Sequence, residues 1–308
     1  MTRIIISAIL LLMTTSLFAQ INMKDSTVQV VGYWDKNEKQ TYTFTHCSYK
    51  IVNNDTISRD TTSTDVYMTV IDSTANSYTI EWLYKNCKTN DSRSAMKKLV
   101  ALCNDIKVIV KTSELGQFQE IVNWKEISEK GKEILNQLKP ELANIPGGDK
   151  WIDQIASIYS TKEAIESSAY EEIPLFYCYH GMRYKLQEEL KGEVKLPNLL
   201  GGEPFDGTMT VWLDDIHPNE DENYSVLRTI QSVDEKQLTA AVSKFVGKMG
   251  KNMGEEVPLD KVDMKDLKNN VEVGMSIHNS GWPIYGVETK EVSFQGTTAI
   301  SELSFELQ

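Results

Sequence analysis

Cysteine and proline are both scarce, with four and eight in 308 residues, and each scarcity excludes something. Cys47, Cys87, Cys103 and Cys178 are too few to be the framework of a disulfide-built fold. Being even in number, they still permit two bridges in three connectivities. Cys87–Cys103 is the preferred pair, and four reduced, buried thiols are the alternative. No Pro/Ser-rich linker separates the two halves of the chain. Positive charge is also short: 32 basic residues against 44 acidic ones leave a net charge of −12 with no basic stripe. That balance excludes a nucleic-acid-binding surface and gives no attraction to anionic membranes. With 41% hydrophobic and 25% charged residues, the chain has the composition of a folded protein.

Catalytic grammar is absent as well. There is no G-x-S-x-G elbow, and His46, His180, His217 and His278 have no motif around them. These histidines read as strand-surface or strand-end residues. Gly147-Gly148 and Gly201-Gly202 follow neither phosphate-cradle pattern and read as turns. His46-Cys47 and Cys178-Tyr179-His180 could together offer two His and two Cys ligands. Their spacing is not that of a structural zinc site, and adjacent strand residues point to opposite faces. Asp214 to Asn223 is rich in hard oxygen donors but lacks EF-hand order, so it reads as a solvated hairpin loop. No cofactor, metal or catalytic residue is expected.

The strongest positive signal lies in Lys39 to Lys85. Tyr42 and Phe44 alternate with threonines, and Asn53-Asn54-Asp55 makes a turn. Val66, Met68 and Val70 alternate next, and Asp72 to Asn76 turns again. Tyr78, Ile80, Trp82 and Tyr84 follow. Period-two placement of β-branched and aromatic residues predicts antiparallel hairpins. The alternation changes phase between Phe44 and Cys47, which predicts a β-bulge near His46. One face of this meander is apolar and needs a cover.

Residues 1–19 read as an export signal, with Arg3, an apolar core from Ile4 to Met13, and Leu17-Phe18-Ala19 before the cleavage point. The apolar run is well short of the roughly 20 residues of a membrane span. The mature chain, residues 20–308, is expected to be soluble, without a transmembrane segment, and periplasmic or extracellular. It reads as one α+β domain, with strand-rich halves at about 25–123 and 173–308 around a helical segment at 124–172. Further helices are expected around 95–103 and 235–252. Asp149 is a candidate N-cap after the Gly pair, and a break is expected near Ser160-Thr161. Strands are expected at Pro174–Gln187, Thr208–Asp214, Tyr224–Val233, Val271–Ile277 and in a final hairpin around Gly296, with a loop at Leu196–Gly207. The count is ten or eleven strands and four helices, each helix with one apolar face to set on the sheet. The fold class is therefore a large curved antiparallel meander, half-barrel-like, with helices packed on its concave face.

Seven strand aromatics, Tyr78, Trp82, Tyr84, Tyr177, Tyr179, Trp212 and Tyr224, would face such a concavity. They would serve as core or as walls of a ligand site. Three short segments carry a resemblance: Trp34-Asp35-Lys36, then Thr112-Ser113-Glu114-Leu115-Gly116-Gln117-Phe118 ahead of Asn123-Trp124, and Ser280-Gly281-Trp282-Pro283. Together they make the layout similar to secreted β-rich proteins of Bacteroidota. In outline the architecture also looks like the half-open barrels of periplasmic lipoprotein carriers and related lipid-binding proteins. The resemblance implies no catalytic residues. It implies a non-enzymatic binding protein for a lipid or other hydrophobic ligand. The alternative is an envelope or surface module with a filled core that binds protein or glycan.

Overall fold

The computed structural model describes residues 20–142, 147–196, 198, 203–219, 222–253 and 267–308. The export signal expected at residues 1–19 lies outside them, as do Pro197 and 199–202 of the expected Leu196–Gly207 loop. Fourteen strands and six α-helices are present among the described residues. Residue order gives β1 (Ile21–Asn22), β2 (Thr27–Gln29), β3 (Lys39–Val52), β4 (Asp55–Thr74), β5 (Ser77–Thr89) and α1 (Ser94–Leu102). Next come β6 (Lys107–Ser113), β7 (Phe118–Ile121), α2 (Trp124–Leu142), α3 (Gly148–Ile158) and α4 (Lys162–Ala164). A π-turn (Ile165–Ala169), α5 (Glu172–Phe176), β8 (Arg183–Lys185), β9 (Glu189–Leu196), β10 (Phe205–Asn219) and β11 (Glu222–Val233) follow. The chain ends with α6 (Glu235–Met253), β12 (Lys268–His278), β13 (Pro283–Phe294) and β14 (Thr297–Leu307).

Eleven strands form one open antiparallel sheet in the order β7-β6-β5-β4-β3-β14-β13-β12-β11-β10-β9. The halves of the chain meet where β14 pairs with β3, Phe305 opposite Phe44. Turn chemistry sets the hairpins. Asn53 and Asn54 both take positive φ (50° and 71°), as do Gln295 and Gly296 (48° and 72°). This is the two-residue turn whose twist matches antiparallel strands. A second, three-stranded sheet has the order β1-β2-β8.

Cross-strand registers explain how the sheet is divided. One row runs Leu213–Leu227–Met275–Gly286–Phe305–Phe44 across six strands. Its five side chains are all buried. Its glycine has a steric cause: a Cβ on Gly286 would lie 2.6 Å from Cε1 and 2.9 Å from Cε2 of Phe305. Met68, Trp82 and Val108 form a neighbouring row on the same apolar side. Phe176 of α5 sits over this inner face, with ring centroids 5.1 Å from Tyr42, 5.2 Å from Trp82 and 5.1 Å from Phe305.

Several sequence expectations change. Pro174–Gln187 is not a strand: it begins within α5, turns through 177–181, and enters a ladder only at Arg183–Lys185. Leu175, Phe176, Tyr177 and Tyr179 are all buried, so apolar character on successive residues imitated a strand while the segment was plugging the sheet. Pro174 fits because the first turn of a helix needs no N–H there. The bulge expected near His46 is absent. Both ladders of β3 run regularly through His46, and the register shift falls at Lys50/Ile51. The phase change instead marks the end of the covered region: beyond Phe44 the inner face carries His46 and Ser48, while Cys47 is buried on the opposite face. Gly147, at φ 81°, occupies the N-cap of α3, and Asp149 lies in its first turn. The acidic segment expected as a loop is ladder as far as Asn219, which pairs with Glu222. Asp234 does cap α6, accepting from the Gln237 N–H at 2.9 Å. Finally, α1, α2 and α3 do not all cover the sheet. Ile134, Leu138 and Leu142 pack with Leu99, Leu102, Ile152 and Ile155 as a separate cluster.

Candidate functional site

On the inner face the core row gives way, two residues along each strand, to a row that is only partly covered. This row is Leu190–Val211–Thr229–Val273–Glu288. The next is Gly192–Met209–Gln231–Val271–Lys290. Side chains two residues apart share a face, so these rows form a continuous floor on β9–β13. Above it run α4, the π-turn and the segment to β8, which contribute Glu163, Glu166, Ser167, Glu171, Pro174, Leu175, Cys178, Tyr179, Met182 and Tyr184. Floor and roof border a half-open cavity of about 830 Å³, whose lining also includes Phe118. That volume lies in the range of small-molecule sites, roughly 300–1,000 Å³. Farther along the inner face α6 packs on Phe205 and Val233, so the cavity occupies a gap between two covered regions.

The walls are apolar by construction. The Tyr179 hydroxyl is bonded to Thr229 Oγ1 at 2.9 Å, and Tyr184 donates to the Tyr179 carbonyl at 3.1 Å. Their polar tips are spent on protein, leaving ring surface for the lumen. Burial pushes both phenols well above the ordinary tyrosine range. Cys178 is accessible from the lumen, and burial likewise drives its thiol pKa far up. Most of the lining charge, Glu163, Glu166, Glu171, Glu288 and Lys290, comes from the roof and β13. Lys290 bridges Glu171 of the roof and Glu288 of its own strand, each at 2.8 Å. Burial works to lower the Lys290 pKa, but hydrogen bonds to the two carboxylates outweigh it and the net direction is upward.

Five of the seven aromatics singled out from sequence, Tyr78, Trp82, Tyr84, Tyr177 and Tyr179, join the main core cluster, and Trp212 and Tyr224 lie outside it. Tyr179 lines the cavity. Trp82 is completely buried and donates from Nε1 to the Tyr177 hydroxyl at 3.3 Å, while Tyr177 sits on the turn after α5. Tyr84 is core, its hydroxyl 2.6 Å from Glu172 Oε1. Tyr78 donates to the Gly32 carbonyl at 2.9 Å. Trp212 bonds Asp214 at 3.2 Å, and Tyr224 stacks on His217 with centroids 4.3 Å apart. The floor residues Leu190, Met209, Val211 and Val273 were not singled out. They alternate like any half-buried strand, and the gap above them depends on where the roof stops.

Two other buried clusters lie apart from the cavity. Desolvation raises the Glu172 carboxyl to about 7, with the Tyr84 hydrogen bond pulling the other way. The three segments that carried the family resemblance converge on His180. Trp34 lies 4.7 Å from Trp282 between centroids, a Cβ on Gly116 would lie 2.8 Å from the His180 ring, and His180 Nε2 donates to the Gly281 carbonyl at 2.7 Å. Burial lowers the His180 pKa to about 4. All four cysteines are unpaired thiols. Among the described residues there is no group of three or more His, Cys, Asp or Glu that could hold a metal ion. Among them, too, no helix is long and apolar enough to cross a membrane.

No protein-family model and no curated protein matches the chain. Among solved structures, one described as lipid–protein interactions in lipovitellin superposes with a TM-score of 0.39 at 9% identity, over 89% of this chain and 25% of that one. The chain thus spans about a quarter of the lipovitellin chain's length. A loop-deletion mutant of OmpT, an outer membrane protein of Vibrio cholerae, gives a TM-score of 0.20 at 6% identity, over 89% of this chain and 100% of that one. Likenesses this distant carry no argument about fold or function.

Proposed function

We propose that the chain is an exported, non-enzymatic binding protein for a lipid or other hydrophobic ligand, held between the inner face of β9–β13 and the segment 163–184. The observation that supports this reading is the cavity of about 830 Å³ with a floor of Leu190, Val211, Val273 and Met209. A folded protein gains by burying such side chains, at roughly 25 cal/mol per Å² of apolar surface, so the half-buried Leu190, Met209 and Val211 under a roof favour a guest. Register shifts in five of the sheet's ladders support the half-open, curved wall expected from the sequence. Export rests on Arg3, the apolar core Ile4 to Met13, and Ala19.

Native mass spectrometry of the purified protein, followed by solvent extraction, tests the reading. A retained adduct of lipid size, lost in a Val211→Trp variant that still folds, is the expected result. A bare mass together with no binding of added amphiphiles would remove the proposal, and the surface-interaction alternative would then be the one to pursue.

A further inference from the structure

We infer that the cavity selects amphiphiles whose head group has no net negative charge, and so takes acylglycerol-like or zwitterionic lipids in preference to free fatty acids. This deepens the binding reading above and rests on it. An anionic head would meet a lining already rich in carboxylates. The lining carries four carboxylates, Glu163, Glu166, Glu171 and Glu288, and two ammonium groups, Lys191 and Lys290. Lys191 is out of phase with the floor, opposite Thr210 and so directed to the other face, where it pairs with Glu189 at 2.8 Å. Lys290 is held by Glu171 and Glu288 at 2.8 Å each. An incoming carboxylate reaches Lys290 either at its third N–H, as a third anion crowded beside Glu171 and Glu288, or by displacing one of its partners. Displacement exchanges one ion pair for an equal one and leaves a freed carboxylate beside the newcomer, so either route makes a like-charge contact in a partly desolvated site.

The arrangement of the pair reinforces this. Glu288 and Lys290 lie two residues apart on the same face of β13, so this bridge travels with the floor. Glu171 closes on Lys290 from the roof. Movement of the roof to admit a guest therefore leaves Lys290 compensated by Glu288, and no bare cation appears at the mouth. An uncharged head asks for no ion-pair exchange. A zwitterionic head can set its positive end toward Glu163 or Glu171.

A matched series with one chain length tests the inference: dodecanol, dodecylphosphocholine and dodecanoate, each titrated below its micelle concentration at pH 8 by displacement of a fluorescent apolar probe. The expected result is that dodecanol and dodecylphosphocholine bind at least about tenfold more tightly than dodecanoate. In a Glu171→Gln/Glu288→Gln variant Lys290 is released, and dodecanoate is expected to gain about tenfold while dodecanol is unchanged. Dodecanol binding is also the check that the variant has folded, and the single Glu171→Gln change gives the same direction with less perturbation. Equal affinity for dodecanoate and dodecanol in the natural protein overturns the head-group inference and leaves the cavity reading standing. So does a double variant that binds dodecanol but gains nothing for dodecanoate. Failure of all three compounds to displace the probe overturns the cavity reading itself.

Discussion

Replacing Gly286 by alanine tests whether the inner face is divided as the cross-strand rows say. The added methyl would lie 2.6 Å from Cε1 of Phe305, closer still to Cζ, and 2.9 Å from Cε2. Phe305 cannot simply retreat, because its ring is packed at 5.2 Å from Phe44 and 5.1 Å from Phe176. Overpacking of a filled core costs about 1–3 kcal/mol. The intrinsic preference of a strand for alanine over glycine offsets less than about 1 kcal/mol of it. Urea denaturation followed by tryptophan fluorescence measures the loss, with an unchanged m-value marking an intact unfolding transition. A cycle with Phe305→Leu isolates the cause: the smaller side chain makes room, so the double variant is expected to be more stable than the two single losses predict, by about 0.5–3 kcal/mol. Gly286→Ala as stable as the natural protein, or strictly additive with Phe305→Leu, would refute the reasoning.

Other perturbations probe the remaining features. Met209→Trp, at a half-buried floor position, fills the cavity and is expected to abolish retention of a hydrophobic guest while changing stability by about 1–2 kcal/mol, read by native mass spectrometry and urea melts. Phe176→Ala removes the ring around which the inner-face aromatics gather, and is expected to cost about 3–5 kcal/mol in the same melts. Glu172 and His180 give opposite pH slopes. The Glu172 carboxyl is raised from 4.5 to about 7, so its contribution is present below pH 4.5 and lost as pH rises through about 7. His180 is depressed from 6.5 to about 4, so its contribution is present above pH 6.5 and lost as pH falls toward 4. Glu172→Gln is therefore expected to leave a stability that only rises between pH 4 and 6.5, and a fall over that window would contradict the assignment. The Cys178 thiol, driven to a high pKa by burial, is expected to react slowly with maleimide at pH 8 and to be protected further by a bound amphiphile, as peptide mapping would show.

The meander was legible because its registers are written in period two: Tyr42 and Phe44, Val66 and Met68, Ile80 and Trp82 all face one side, and the Asn53-Asn54 turn fixes the first pairing. What misled was apolarity without direction. Between Leu175 and His180 nearly every side chain is buried, so no periodicity separates a strand from a helix and turn that fill a sheet. Ile134, Leu138 and Leu142 showed an apolar stripe, but a stripe does not say whether its partner is a sheet or two other helices. The cavity was illegible for a related reason. Leu190 and Val211 look like core residues, and their partial exposure follows from the roof ending at Tyr184 while α6 begins its cover only at Phe205 and Val233.

The seam between β3 and β14 has a consequence for how the chain reaches this state. Phe44 and Phe305 face each other across it although they are 261 positions apart in the numbering. Until the last strand arrives, β3 and β13 each present a long unpaired edge with aromatic residues beside it, the kind of edge that templates aggregation. Contacts so distant in sequence are slow to form. The two half-sheets must therefore wait for each other, and the final eleven-residue strand, Thr297–Leu307, acts as the zip that joins them.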